Sequence, residues 1–394
     1  MRILHVSSEH PPQQVFGLGR YVCDLSRELA KQGHEVHVLT NSIGGGEQDV
    51  LADKVHLHRV DFPPPPKPPD PVAPALAFNL HLQQRAATLG AKQLGDPQVV
   101  VSHDWLTAIA GHNLARRFGV PHVWTVHDTV YGKRLGKVEA DSDKVIFDVE
   151  AWAADAADRV LVNSLAIGEE LERAYEANPK KIGLLTCGID LEQFQSKQSV
   201  DRLAAFRQVF AGDDELLITY VGRLDHEKGI DTLINAFSIF HKRYPSSKLA
   251  LAGRGALLET IEAHVQHLGL QKSVRLYGYL RGEVLKSFYR ISSMHVCPSL
   301  YEPFGLVAIE AMACGVPLIA SNVGGLREIV SDASVGRVFS AGNHDELCAK
   351  LLELAGSRVM REKLGLAGMN HIREKYDWVK IAPKAVEHYQ GLSN

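Results

Sequence analysis

A chain of 394 residues suffices for two domains of ordinary size, and 45% apolar residues can fill a core in each. The 43 Lys and Arg against 46 Asp and Glu leave a formal charge of −3, which excludes the broad basic face of a nucleic-acid binder but not a local cation cluster. Cys23, Cys187, Cys297, Cys314 and Cys348 are scattered and form no C-x-x-C pair, so a disulfide scaffold is excluded and reduced thiols in a cytoplasmic protein are expected.

Met1–Val6 enters a strand-like run directly, without signal-peptide architecture. The most apolar stretch, Pro303 to Leu326, is broken by Glu310, Gly315, Pro317 and a glycine pair, so no membrane span is expected. Short β-branched runs alternate with amphipathic stretches, the rhythm of a parallel sheet covered by helices. Strands are predicted at Arg2–Ser7, Glu35–Thr40, Val55–Val60, Gln98–Val101, His122–Val126, Arg159–Asn163 and Ile182–Thr186. Between the first two, Leu18–Gln32 places Val22, Leu25, Leu29 and Ala30 on one helical face, with Gly33 as its stop. Phe62 to Pro74 holds eight of the 18 prolines and predicts a polyproline connection, read either as a stiff surface linker or as a recognition loop, before a helix near Ala75–Leu94.

The rhythm restarts with strands at Leu216–Val221, Lys248–Ala252, Val274–Tyr277, Met294–Cys297, Pro317–Ala320 and Gly336–Phe339. Helices are predicted at about Ile230–Tyr244, Ala256–Leu268, Gly282–Ile291, Gly305–Cys314 and His344–Ala355. The fold class is therefore α/β, with two successive doubly wound parallel sheets linked by the aperiodic stretch Asp190–Val200. Tyr376–Tyr389 is amphipathic, with Pro383 inside the pattern, and could pack back across the domain boundary. The domain division expected is 1–190, 191–375 and a crossing C-terminal helix over 376–394.

Three segments carry chemistry. Gly17-Leu18-Gly19-Arg20 follows the first strand and opens the first helix, where a phosphate-binding turn or a plain tight turn would stand. It is no dinucleotide fingerprint, because Val22 replaces the third glycine. Gly222-Arg223-Leu224-Asp225-His226-Glu227-Lys228-Gly229 follows the first strand of the second sheet and sets two cations beside a helix start, suited to a diphosphate or simply solvated. In Pro298 to Glu310, Glu302 lies on a loop and Glu310 in an apolar helix, where burial demands partners: sugar or ribose hydroxyls, or the protein's own donors.

Glu302-Pro303-Phe304-Gly305-Leu306 with Glu310, Gly222-Arg223-Leu224 with Lys228-Gly229, Gly17-Leu18-Gly19-Arg20, and Cys187-Gly188-Ile189-Asp190 with Phe194 occur together and in order. In this the chain resembles the retaining nucleotide-sugar enzymes of glycosyltransferase family 4, from Arg2 to about Trp378. The resemblance implies the GT-B fold, two Rossmann-like domains facing a cleft, with the acceptor side on the first and the donor side on the second. It implies that Arg223 and Lys228 bind the donor diphosphate, that Glu310 accepts the ribose hydroxyls and that Glu302 contacts the donor sugar. Phe304, Gly305 and Leu306 would offer backbone amides, and Gly17 and Gly19 would line the phosphate side. His127 would lie near the sugar's C6 hydroxyl. His103-Asp104-Trp105 resembles the acceptor segment of glycogen and starch synthases, which suggests an α-glucan acceptor through Asp104; a helix N-cap is the other reading of that residue.

The activity implied is transfer of a hexosyl, most simply glucosyl, group from a nucleoside diphosphate sugar to an acceptor hydroxyl with retention. No cofactor and no metal are expected, since Arg223 and Lys228 supply the positive charge. A nucleotide-sugar epimerase on the same architecture and a non-catalytic glycan-binding protein are the competing classes. Asp141-Ser142-Asp143 has the spacing of a metal-binding pair but reads as a solvated loop. His5, His34, His37, His56 and His58 read as core or edge histidines rather than zinc ligands, and no G-x-S-x-G is present. The donor base, the acceptor and the oligomeric state are not encoded legibly.

Overall fold

A computed structural model describes residues 1–12, 17–42, 45–62, 70–196 and 198–392. The chain divides into two compact units, Met1–Gly188 with Trp378–Asn394, and Ile189–Asp377.

Among the described residues the first unit holds eight strands: β1 Arg2–Val6, β2 Glu35–Asn41, β3 Gln48–Ala52, β4 Val55–Val60, β5 Val99–His103, β6 His122–Val126, β7 Arg159–Val162 and β8 Ile182–Leu184. Their spatial order is β3-β4-β2-β1-β5-β6-β7-β8, parallel except for β3. The central strands are apolar along most of their length because helices cover both faces; Ile3, Leu4, Val99, Val100 and Val101 are fully or almost fully buried. One side of the sheet packs Leu4, Val6, Leu39 and Val100 against Phe78, Leu82 and Leu114 of the helices Val72–Gln93 and Asp104–Phe118.

β3 has no counterpart among the predicted strands. Its sequence, Gln-Asp-Val-Leu-Ala, is poor in β-branched residues, and it forms an antiparallel edge on β4 with Val50 and Leu51 exposed. Pro63 to Pro69 of the proline-rich segment lie outside the described residues. The following helix starts at Val72, whose amide donates to Asp70 Oδ1 at 2.9 Å. The solvated loop expected at Asp141-Ser142-Asp143 is instead the first turn of a helix, Asp141–Ala156. Asp141 is exposed, but Asp143 is buried and receives Arg134 Nε at 2.7 Å and Nη2 at 3.0 Å, so the two carboxylates face different surroundings. The C-terminal helix Trp378–Gln390 runs through Pro383 and packs on Gly17–Lys31, with Trp378 edge-on to Tyr21 at 5.3 Å between ring centres.

The second unit holds β9 Leu216–Val221, β10 Ser247–Ala252, β11 Val274–Leu276, β12 Met294–Cys297, β13 Leu318–Ser321 and β14 Arg337–Phe339, all parallel, in the order β11-β10-β9-β12-β13-β14. Ile218, Leu249, Leu251, Met294 and Val296 pack against Leu233, Phe237 and Phe240 of the helix Ile230–Arg243. The stretch Asp190–Val200, expected to be an aperiodic linker, contains the helix Leu191–Gln195, capped by Asp190, and belongs to this unit. Phe194 anchors it: the side chain is buried and its carbonyl accepts from Arg290 Nη2 at 2.6 Å. Among the described residues, no helix is long and apolar enough to cross a membrane.

Candidate functional site

In the second unit the strand order reverses between β9 and β12, and the loops leaving the carboxyl ends of neighbouring strands diverge at such a point to open a crevice. Both motif loops start there. The loop after β9 ends in a single tight turn, His226–Lys228, and Gly229 at φ 62°. The loop after β12 runs from Pro298 to Gly305 before the helix Leu306–Ala313. Glu227 binds the two together, its carbonyl accepting from the amides of Leu300 at 2.8 Å and Tyr301 at 3.2 Å.

That stitching brings Lys228 Nζ to 2.9 Å from Glu302 Oε2, with the two side chains 15% and 12% exposed. Ser299 Oγ donates to the same carboxylate oxygen at 3.0 Å. The pair is thus a mostly desolvated cation and anion held at one strand-end crevice. Arg223 is more open, with 43% of its side chain exposed, and is paired with Asp225 at 2.5 Å and with Glu227. Two carboxylates therefore hold the guanidinium in place, and an incoming anion would compete with them.

Glu310 is buried in the Leu306–Ala313 helix, and its Oε2 accepts from Tyr289 Oη at 2.8 Å. Burial first, and the neighbouring carboxylate second, push the Tyr289 phenol well above its ordinary range. Phe304 is buried, and Gly305 at φ 112° leads into Leu306, so the first amides of that helix have no intrahelical acceptor.

In the first unit the order reverses between β1 and β5. His103 ends β5, and His127 follows β6. Asp104 is not the N-cap: His103 occupies that position and Asp104 is the first helical residue, at φ 55°. Its buried carboxylate accepts from the His127 amide at 2.7 Å, and burial, then Asp128, raise its pKa well above the usual carboxylate range. His127 Nε2 stands 3.1 Å from His103 Nδ1, and its carbonyl accepts from Asn163 Nδ2 at 3.0 Å. Burial lowers the His127 imidazole to about 4, leaving it neutral at pH 7. Gly17 opens the first helix and is exposed, whereas Gly19 is buried within it.

Lys228, Glu302 and Arg223 therefore assemble on adjoining loops of one unit, with Glu310 in the helix that follows, while His127 and Asp104 meet in the other. Sequence reasoning gave no role to Ser299, Asp225, Glu227 or Tyr289, and read His103 only as part of the acceptor-like segment around Asp104. Ser299 and Glu227 lie inside the quoted motifs and were open to notice; Tyr289 carries no local signal of its partnership with Glu310.

Residues 201–371 match the family described as Glycosyl transferases group 1, and residues 15–193 match Glycosyltransferase Family 4. An uncharacterized glycosyltransferase of Methanocaldococcus jannaschii is 31% identical, over 99% of this chain and 98% of its own length. A glycogen synthase of Mycobacterium tuberculosis is also 31% identical, over 99% and 94%. The solved structure of sucrose-phosphate synthase from Thermosynechococcus elongatus is 28% identical with a TM-score of 0.85, covering 100% of this chain and 99% of that one.

Proposed function

The chain belongs to the group 1 and family 4 glycosyltransferases with the GT-B fold, and from that premise we propose that it transfers a glucosyl group from a nucleoside diphosphate glucose to an acceptor hydroxyl with retention of anomeric configuration. The observation that carries this reading is the Lys228–Glu302 pair, on the same pair of loops as Arg223, at the β9/β12 reversal; in the proposed reading the two cations meet the diphosphate and the carboxylate meets the sugar.

In the proposed step the bond between the anomeric carbon and the diphosphate oxygen breaks, and the electron pair leaves with the diphosphate. The acceptor oxygen bonds to that carbon on the same face, and its proton passes to the departing phosphate. Charge grows on the leaving oxygen, so Lys228 and Arg223 stabilise the transition state more than the ground state. Glu302 keeps Lys228 in place and faces the positive charge developing on the sugar ring. Glu310, a buried carboxylate that accepts from Tyr289, is the acceptor for the ribose hydroxyls in this scheme. Positive charge is supplied by side chains, so no metal is required in this scheme. In this reading the amides at Phe304, Gly305 and Leu306 also contact the donor; of the first unit's residues, Gly17, Gly19 and His127 are assigned to the donor and Asp104 to the acceptor. Transfer of this kind would take place in the cytoplasm.

The similarity to a glycogen synthase, together with His103-Asp104-Trp105, favours α-glucan elongation as the acceptor chemistry. The test is a screen of UDP-, ADP- and GDP-glucose against a glycogen primer and simple sugars, following nucleoside diphosphate release and the product's anomeric proton by NMR. An inverted product would refute retention, isomerised donor without transfer would favour an epimerase, and no release with any pair would refute the donor class.

A further inference from the structure

Three histidines from three strand ends of the first unit form a continuous file. His5 lies in β1, His103 ends β5 and His127 follows β6. His5 Nδ1 is 3.0 Å from His103 Nε2, and His103 Nδ1 is 3.1 Å from His127 Nε2. The rings stack at 5.3 Å between centres in both pairs, and Tyr21 closes one side edge-on to His103 and His127. His5 and His103 are fully buried, and His5 Nε2 has no hydrogen-bond partner among the described residues.

Each nitrogen-to-nitrogen contact needs one proton, neither none nor two. A neutral imidazole carries its proton on one nitrogen only. If His5 is protonated at Nε2, then His103 and His127 must be protonated at Nε2 as well. If His5 is protonated at Nδ1, both others must follow. In the neutral file no mixed arrangement satisfies both contacts; one added proton would protonate both ends of the file, leave one proton in each contact and break the common tautomer, so a common tautomer requires the file to be neutral. Burial keeps the file neutral, with His5 lowered to about 3 and His127 to about 4.

We propose that His5, His103 and His127 share one tautomeric state, so that His103 and His5 are positioning residues that decide whether His127 Nδ1 donates or accepts a hydrogen bond to a bound sugar hydroxyl. The second half of this statement rests on the donor-side placement of His127 in the proposed function; the first half does not. Reciprocally, a ligand that demands one role of His127 Nδ1 resets the proton on His5, two rings away in the buried sheet.

The experiment is long-range proton–nitrogen NMR on the full chain with 15N-labelled histidine at pH 7.5, resonances assigned through His5→Phe, His103→Phe and His127→Asn. The result expected is one common tautomer for all three rings. A split between any neighbouring pair would overturn the proposal, with or without activity. UDP-glucose and ADP-glucose are then titrated in turn. A shift at His127 accompanied by one at His5, with only the former surviving in His103→Phe, supports the coupling; a His5 response that persists in His103→Phe overturns it. Matched tautomers with no response to either nucleotide sugar uphold the file and instead refute the donor-side placement of His127. If His103→Phe does not fold, His103→Gln serves, since its amide reaches toward His5 and loses the contact with His127. In either variant kcat/KM should fall about tenfold, the scale of one lost hydrogen bond.

Discussion

Gly229 sits where the two loops that hold the Lys228–Glu302 pair come closest, and replacing it by alanine tests whether their close approach is required. A Cβ there would stand 2.1 Å from the Pro298 carbonyl oxygen, a backbone atom that cannot swing aside, and the backbone is at φ 62°. The left-handed conformation alone costs an alanine about 1–2 kcal/mol. Relief of the overlap by shifting the loops adds about 1–3 kcal/mol by analogy with overpacked cores. A loss of about 3 kcal/mol lowers the melting temperature of a unit of this size by about 6–12 °C. Gly269→Ala is the control: φ is 69°, but nothing lies within 4 Å of the new Cβ, so it should show the conformational cost alone. The assay is calorimetry of both variants beside the parent, with turnover measured well below the transition. Gly229→Ala should also lose turnover out of proportion to Gly269→Ala, because Glu227, whose carbonyl joins the loops, adjoins Lys228. Equal melting shifts in the two variants, or full turnover in Gly229→Ala, would refute the reasoning.

Lys228→Ala and Arg223→Ala should each lower kcat at least about a hundredfold while the protein stays folded, the scale of removing one transition-state donor; near-normal turnover in either would remove that residue from the diphosphate site. Turnover should persist in excess chelator, and a loss restored by magnesium or manganese would require a metal site not built from Arg223 and Lys228. The first unit should be acid-labile. Burial lowers His5 and His122 to about 3 and His10, His37 and His127 to about 4, so below pH 6.5 the unfolded chain binds protons that the folded one refuses. Stability is then lost as pH falls from about 6.5 toward 4, by up to about 1.4 kcal/mol per pH unit for each group. Glu150, raised to about 8 by burial, and Asp104, raised well above the carboxylate range, act with the opposite sign, but they are two groups against six once His103, which burial lowers well below its ordinary range, joins the five. Calorimetry at pH 7 and pH 5 checks this, and a transition of the first unit that is unmoved or rises on acidification would contradict it.

The alternation of apolar runs and amphipathic stretches was enough to place thirteen of the strands and several of the helices, Ile230–Arg243 and His344–Ala355 among them, because burial of a parallel strand on both faces and of one helical stripe is written in short-range periodicity. The motif loops were legible for a related reason: in an α/β sheet, the residues after a strand lie at its carboxyl end whatever the strand order. β3 escaped because an exposed edge strand needs no apolar pattern. Asp143 was misread because its burial depends on Arg134, which no period announces. Only the tertiary structure could join Lys228 to Glu302, 74 residues apart, or Tyr289 to Glu310 across two helices. The same holds for the histidine file, in which 98 residues separate His5 from His103. Those contacts follow from which strands are neighbours. The crossover connections set that order by packing whole helices against the sheet, and local sequence carries no record of the partner a side chain will meet there.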